Sequence, residues 1–139
     1  MIDFPKDLAD LDYDLFSFKD GMASWRLAED HLSQGGIYLE SEKYESALKH
    51  FMRAAQLKDE PEHNQMHDVH IEPALLEHLS GTGYFNMGVA YLALKNADAA
   101  IKSFKQCLQC KDIMLGKIDR NERFFPFHED AKKMIDKIR

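Results

Sequence analysis

The chain has 139 residues, of which 45% are hydrophobic and 30% charged, and its formal net charge is −6. This suits one soluble domain, and an acidic balance without a Lys/Arg-rich run argues against nucleic-acid binding. Because there is no apolar stretch of the roughly 18 residues needed to span a membrane, no secretory leader pattern and only two cysteines, we expect a cytoplasmic protein that does not enter a membrane.

The N-terminal segment, residues 1–27, combines leucine and aromatic residues with carboxylates. Leu8, Leu11 and Leu15 are three or four residues apart, which predicts that part of the segment is helical. Its last residues are expected to lead into the following helix, with Trp25 on the packed face. We therefore predict an N-terminal extension of the domain.

The apolar pattern of residues 28–61 predicts a pair of amphipathic helices, and the same pattern recurs in residues 81–114. The corresponding positions are Gly35 and Gly88, Tyr38 and Tyr91, Ala47 and Ala100, and Phe51 and Phe104. Each pair is separated by 53 residues. One constant offset across two helices indicates an internal repeat.

The spacing Gly-x2-Tyr followed by Ala-x3-Phe resembles the tetratricopeptide repeat, a family that repeats about every 34 residues as a pair of antiparallel helices. The resemblance implies an all-α fold, a short helical solenoid in which these two segments are the repeats. A glycine in the first helix of each pair would let the second helix approach closely. Phe51 and Phe104 would fill the space between helix pairs, and Ser41 and Asn96 are predicted to cap the second helices.

The offset of 53 residues exceeds the family period, so residues 62–80 are predicted to be an insertion or a lengthened helix. His63, His67 and His70 lie in this segment at spacings of four and three. On one helix they would share a face and could hold a metal ion. The linker-like sequence DEPEHNQ favours an irregular chain, which would scatter the imidazoles. Metal binding therefore stands as the alternative to a connector or an interaction loop.

Cys107 and Cys110 form a Cys-x-x-Cys motif, which carries redox chemistry in thioredoxin-like proteins. In the repeat they take the places of Ala54 and Leu57, so we expect both to be buried packing residues. The chain has no Gly-x-Ser-x-Gly, phosphate-binding glycine loop or His-Glu-x-x-His motif. We therefore expect neither an enzyme nor a cofactor.

The C-terminal segment, residues 115–139, ends in an amphipathic pattern. The apolar residues on one side of the predicted helix are Phe127, Ala131, Met134, Ile135 and Ile138. A solenoid needs a terminal helix to cover its last apolar face. We predict a C-terminal capping helix.

The resemblance also implies a concave groove, lined by the first helices of successive repeats, that holds a peptide or a helix. The family's groove-facing places correspond here to Glu29, Leu32, Ser33, Gly36, Leu39, Thr82, Phe85, Asn86, Val89 and Leu92. The family's clamp for the C-terminal carboxylate of heat-shock chaperones needs several lysines and asparagines. Only Asn86 matches that clamp, and Glu29 would repel a carboxylate. We therefore expect a mainly apolar groove without this specialisation.

The predicted function is to bind a peptide or an amphipathic helix of another protein, as a scaffold, adaptor or chaperone. Two alternatives for the groove remain open. It could pair with a second copy of the chain, which would form a homo-oligomer, or it could be covered by the chain's own N-terminal segment. The alternative of a different class is metal binding through the three histidines of the insertion.

Overall fold

The computed structural model describes residues 24–57, 72–114 and 125–139, and its regular structure in these ranges is α-helical. The helices are α1 (Ser24–Glu40), α2 (Tyr44–Gln56), α3 (Glu72–Ala93), α4 (Ala97–Leu108) and α5 (Phe127–Ile138). Each helix packs against the next, and α3 also packs against α1 and α5. The predicted all-α helical solenoid is confirmed.

The turn between the two helices of each pair has the same backbone conformation in both copies. Glu42 and Lys95 end this turn in the left-handed region, with φ of 62° and 64°. The next residue, Lys43 or Asn96, donates its N–H to the carbonyl five residues earlier, that of Tyr38 or Tyr91, at 2.9 Å. This bond satisfies a carbonyl that the end of a helix would otherwise leave open. Since Glu42 and Lys95 are 53 residues apart, the repeat extends to the backbone.

The helix caps agree with the prediction in one copy only. Asn96 caps α4, because its side-chain oxygen accepts the N–H of Ala99 at 3.1 Å. The prediction for Ser41 is wrong. Residues 41–43 form the turn after α1, so α2 begins at Tyr44 and its capping position is Lys43, which makes no side-chain cap. A lysine carries only donors and cannot accept a helix N–H.

A glycine in the first helix of each pair lies directly against the phenylalanine of the second helix. A Cβ atom on Gly88 would lie 2.5 Å from ring atoms of Phe104, and a Cβ on Gly35 would overlap the ring of Phe51. Both rings are fully buried. The close approach predicted from the repeated glycine is therefore present in both pairs.

Helix α3 is longer than the repeat predicted, because it begins at Glu72. Residues 72–80 of the expected insertion are thus the first turns of this helix, and the described part of the segment is a lengthened helix. Ser80 in this part is buried and donates its hydroxyl to the carbonyl of Ala54 in α2, at 3.3 Å. The predicted N-terminal extension up to residue 23, and residues 62–71 of the insertion, lie outside the described residues.

The apolar core forms two clusters. The first joins α1, α2 and residues along the length of α3, from Leu76 to Ala90. The second joins α4 and α5 and contains the aromatic rings of Phe104, Phe125 and Phe127. Helix α5 buries Phe127, Ala131 and Ile135 in this cluster, so it covers the last apolar face as predicted for a capping helix.

Candidate protein-binding groove

The residues predicted to line the groove lie on α1 and α3, which pack side by side. Most of them are half-buried, so they lie at a surface without being fully open to water. These are Glu29, Ser33, Gly36, Leu39, Phe85, Asn86, Val89 and Leu92. This partial burial is what a lined groove requires of its wall.

Two of the predicted groove residues are buried in the structure. Leu32 is 2% exposed and belongs to the first core cluster. Thr82 is 0% exposed, and its hydroxyl donates to the carbonyl of His78 at 3.1 Å in the same helix. At this level α3 lies very close to α2, since a Cβ on Gly83 would be 2.8 Å from the carbonyl oxygen of Phe51. Leu32 and Thr82 therefore stabilise the fold and do not line an open groove.

The apolar residues of α3 that were predicted to line the groove also contribute to the second core cluster. The ring of Phe85 meets the rings of Phe104 and Phe125 edge-on, with centroids 5.3 and 5.2 Å apart. Val89 and Leu92 pack against the same cluster. Each of these side chains thus has one side in the core and another side near the surface.

A cleft of about 480 Å³ opens between α3 and α5. Its lining residues are Phe85, Asp130, Lys133, Met134, Asp136 and Lys137. A cleft of this size is at the scale of ligand-binding pockets and accommodates a large side chain of a bound segment. Sequence reasoning missed the α5 side of this cleft. The available signal was Met134, which stands at the edge of the apolar stripe of α5 with Lys133 before it and Lys137 one turn later.

The α5 wall of the cleft is fixed by a polar contact from the preceding loop. Pro126, at the start of α5, has no side chain that could accept a helix N–H. The carboxylate of Asp112 accepts the N–H of His128 at 2.9 Å instead, and also that of Met114 at 3.0 Å. The His128 ring nitrogen Nε2 lies 2.7 Å from the carbonyl oxygen of Cys110, to which it donates. These bonds hold the start of α5 against the residues that follow α4.

His78 of α3 lies beneath the same loop. Its Nδ1 accepts the N–H of Ile113 at 3.3 Å and stands 3.6 Å from Oδ1 of Asp112, and its ring packs 4.9 Å from the ring of Phe127. Burial lowers the pKa of His78 to about 4, and the attraction of Asp112 opposes this shift without overcoming it. The imidazole is therefore neutral at pH 7.

The stability of the fold is expected to fall in acid because of His78. The pKa of this imidazole is about 4 in the folded chain, against 6.5 for a histidine exposed to water, so the unfolded chain binds the proton more tightly. Its contribution is complete above pH 6.5 and is lost as the pH falls towards 4. We expect a loss of about 1–2 kcal/mol, less than the full shift would give, because water and local rearrangement screen part of the charge.

Urea unfolding of the parent and of His78→Asn at pH 7 and pH 5 measures this loss. The asparagine amide oxygen can take over the acceptor position of Nδ1 but does not titrate in this range. The variant should be less stable than the parent at pH 7 and should lose less stability between the two pH values. Equal losses in the two chains would show that His78 is not the group responsible.

A pair of buried histidines lies in the first repeat. Nδ1 of His31 and Nδ1 of His50 are 2.9 Å apart, and Tyr38 stacks on the His50 ring at 5.5 Å. One imidazole must donate and the other accept, so the pair joins α1 to α2 inside the core. This contact was not predicted from the sequence.

The two cysteines are buried in the second core cluster, as predicted. Burial raises the pKa of the Cys107 thiol, and the nearby Cys110, Asp112 and Asp130 raise it further. The nucleophilic form of a cysteine is the thiolate. Cys107 is therefore a packing residue in the folded chain.

The predicted metal ligands His63, His67 and His70 lie outside the described residues. Within residues 24–57, 72–114 and 125–139 the structure brings together no group of three side chains suited to a metal ion. In the same ranges no helix combines the length and the hydropathy of a bilayer-spanning segment.

Comparison with known proteins identifies the second helix pair. Residues 82–111 match the family model of the tetratricopeptide repeat. No curated protein and no solved structure matches the chain at a significant level. The matched stretch covers the second half of α3 and all of α4. The first helix pair repeats their turn and their glycine–phenylalanine contact. Residues 82–111 are therefore a tetratricopeptide repeat by both their sequence and their helix pair.

Proposed function

We propose that the chain binds a segment of another protein in the groove formed by α1, α3 and α5, and so acts as a scaffold, adaptor or chaperone. The observation that carries this proposal is the cleft of about 480 Å³ between α3 and α5, with Phe85 and Met134 in its lining. Protein binding is also the general role of tetratricopeptide repeats.

The proposed groove would also use apolar side chains outside the lining of this cleft. These are Val89 and Leu92 on α3 and Leu39 on α1, and all three are half-buried. A bound segment would remove the remaining exposed part of these side chains from water, at about 25 cal/mol for each Å² of apolar surface. This surface favours a peptide or an amphipathic helix over a small polar ligand.

The polar residue Asn86 gives a test that leaves the core intact. It is half-buried and follows Phe85 on α3, so Asn86→Arg places a long charged side chain in the groove. Gln106→Arg is the matched control, because Gln106 is exposed on α4, outside the predicted groove. We expect proteins captured from the native cell by the parent chain to be lost with Asn86→Arg and retained with Gln106→Arg.

Two further measurements make this test decisive. Both variants should melt within a few degrees of the parent, since surface substitutions usually change stability by less than about 0.5 kcal/mol. Capture is read by mass spectrometry with each chain at equal concentration. If the same proteins bind all three chains, the groove is not the binding surface and the proposal fails.

A further inference from the structure

The start of α5 depends on one carboxylate that also faces a buried imidazole. Oδ2 of Asp112 accepts the N–H of His128 in the first turn of α5, and Oδ1 accepts the N–H of Met114. The same Oδ1 stands 3.6 Å from Nδ1 of His78 in α3, and both side chains are fully buried. We propose that protonation of His78 breaks this arrangement and releases α5 in mild acid, while the two helix pairs stay folded. This release would be a property of the chain alone, so it goes beyond the proposed function.

The bonds around His78 require its neutral form. Nδ1 accepts the N–H of Ile113 at 3.3 Å, so the ring proton lies on Nε2. The preceding residue of α3, Glu77, accepts the N–H of Lys111 at 3.0 Å through Oε1. Two neighbouring side chains of α3 therefore hold the backbone on either side of Asp112, which places this carboxylate between α3 and the start of α5.

Protonation of Nδ1 disturbs two of these contacts. An imidazolium carries a proton on each ring nitrogen, so Nδ1 of His78 can no longer accept the N–H of Ile113. Its positive charge attracts Oδ1 of Asp112, which is the oxygen that accepts the N–H of Met114. A carboxylate drawn towards His78 also moves Oδ2 away from the N–H of His128. The protonated imidazole thus weakens the bonds that hold the start of α5.

Other titratable and charged groups surround the contact between His78 and Asp112. They are Glu77 on α3, Cys107 on α4, Cys110 and Lys111 in the segment after α4, and His128 and Asp130 on α5. Towards α1 and α2, α3 packs through the apolar first core cluster. Burial has the largest effect on the pKa of His78 and lowers it to about 4; Asp112 opposes this shift without overcoming it, and His128 adds to it. The folded chain therefore disfavours the charged imidazole.

The expected size of the effect follows from the change in the pKa of His78 on release. The pKa is about 4 in the folded chain, against 6.5 for an imidazole exposed to water. Release of α5 and of the segment before it gives water access to this ring, so the released state binds the proton more tightly. The population of the released state is therefore lowest above pH 6.5 and rises as the pH falls towards 4. Between pH 7 and pH 5 we expect a rise of about tenfold.

Helix α5 covers the two cysteines of the chain, and these provide a probe of its release. Cys107 and Cys110 lie in the second core cluster together with Ala131 and Ile135 of α5. Both thiols are buried while α5 is in place. When α5 leaves, the thiols become accessible and the cleft between α3 and α5 loses one wall. Acid would thus expose apolar surface of α4 and remove part of the proposed groove.

The reaction of these thiols with a pyridyl disulfide reagent measures the release. Each labelling rate is divided by the rate for the same chain unfolded in urea at the same pH, which removes the effect of pH on the thiols themselves. At low reagent concentration this ratio gives the fraction of time for which the thiols are exposed. In the parent chain it should rise about tenfold from pH 7 to pH 5. At each pH it should also stay well above the equilibrium constant of unfolding measured with urea.

Two variants identify the group responsible. His78→Asn keeps an acceptor for the N–H of Ile113 but does not titrate in this range, so its labelling ratio should change little between the two pH values. His128→Gln is the matched control, because it removes the other histidine of this region while its amide can still donate to the carbonyl of Cys110. The control should keep the rise of about tenfold.

Three results would overturn the inference. A labelling ratio equal to the unfolding constant would show that α5 leaves only when the whole chain unfolds, and this comparison needs no variant. A rise that persists in His78→Asn, or that is lost in His128→Gln, would assign the effect to another group. A ratio that is independent of pH in the parent chain would show that the contact is insensitive to acid. Because no partner is present, these outcomes are independent of the capture test with Asn86→Arg.

Discussion

Replacement of Phe104 by alanine is expected to lower the free energy of unfolding by about 3–5 kcal/mol. The Phe104 side chain is 0% exposed and packs on Gly88, and its ring meets that of Phe85 edge-on. Truncation removes this apolar burial and leaves a cavity between α3 and α4 that the backbone cannot fill. Since small domains are stable by only about 5–15 kcal/mol, the variant should be partly unfolded at 37 °C.

Urea unfolding followed by circular dichroism measures this loss. Ile37→Ala is the control, because Ile37 is 57% exposed and its truncation should change stability by less than about 0.5 kcal/mol. An unfolding midpoint for Phe104→Ala equal to that of the parent would contradict the packing described for the second repeat. The equivalent substitution Phe51→Ala should give a loss of similar size in the first repeat.

Replacement of Gly83 by alanine is expected to be costly for a different reason. The added Cβ would lie 2.8 Å from the carbonyl oxygen of Phe51 and 2.9 Å from the backbone nitrogen of Ala55. These are backbone atoms of α2, so no side-chain rotation can relieve the overlap and the two helices must separate. We expect a loss of about 2–3 kcal/mol, although alanine has the higher intrinsic preference for a helix.

Asn86→Ala is a suitable control for this second substitution, because it truncates a half-buried side chain one turn further along the same helix. Thermal unfolding of both variants should show a clear decrease only for Gly83→Ala. If Gly83→Ala is as stable as the control, α3 and α2 are not in backbone contact at this level. A shortened side chain in α2, such as Ala55→Gly, should not restore stability, since the overlap is with the main chain.

The fold was predictable where the sequence repeats a geometric requirement. Gly35 and Gly88 each leave room for a phenylalanine ring, and no larger residue could do so without moving a helix. Each of these contacts joins two residues of the same helix pair, so the same glycine-to-phenylalanine spacing appears in both copies of the repeat and reveals the contact. The same holds for the apolar stripe of α5, which has the period of a helix.

The candidate site was predicted less well, because its features depend on contacts between distant segments. Leu32 and Thr82 occupy places that face the groove in the family, but their exposure is set by how closely α3 approaches its neighbours. The bond from Asp112 to the start of α5 joins residues that no motif connects. The α3–α5 cleft exists only because α5 lies beside Phe85, and the sequence alone does not show that these two segments meet.

The long helix α3 determines whether the two repeats can be separated into independently folded units. A solenoid of stacked pairs can lose a terminal unit while the remainder stays folded. Here α3 contacts each of the other four described helices, so detaching either end exposes apolar surface of the same central helix. We therefore expect the two repeats to unfold in a single cooperative transition. A cut between α2 and α3 would yield two fragments that each lack half of their core, rather than two independent modules.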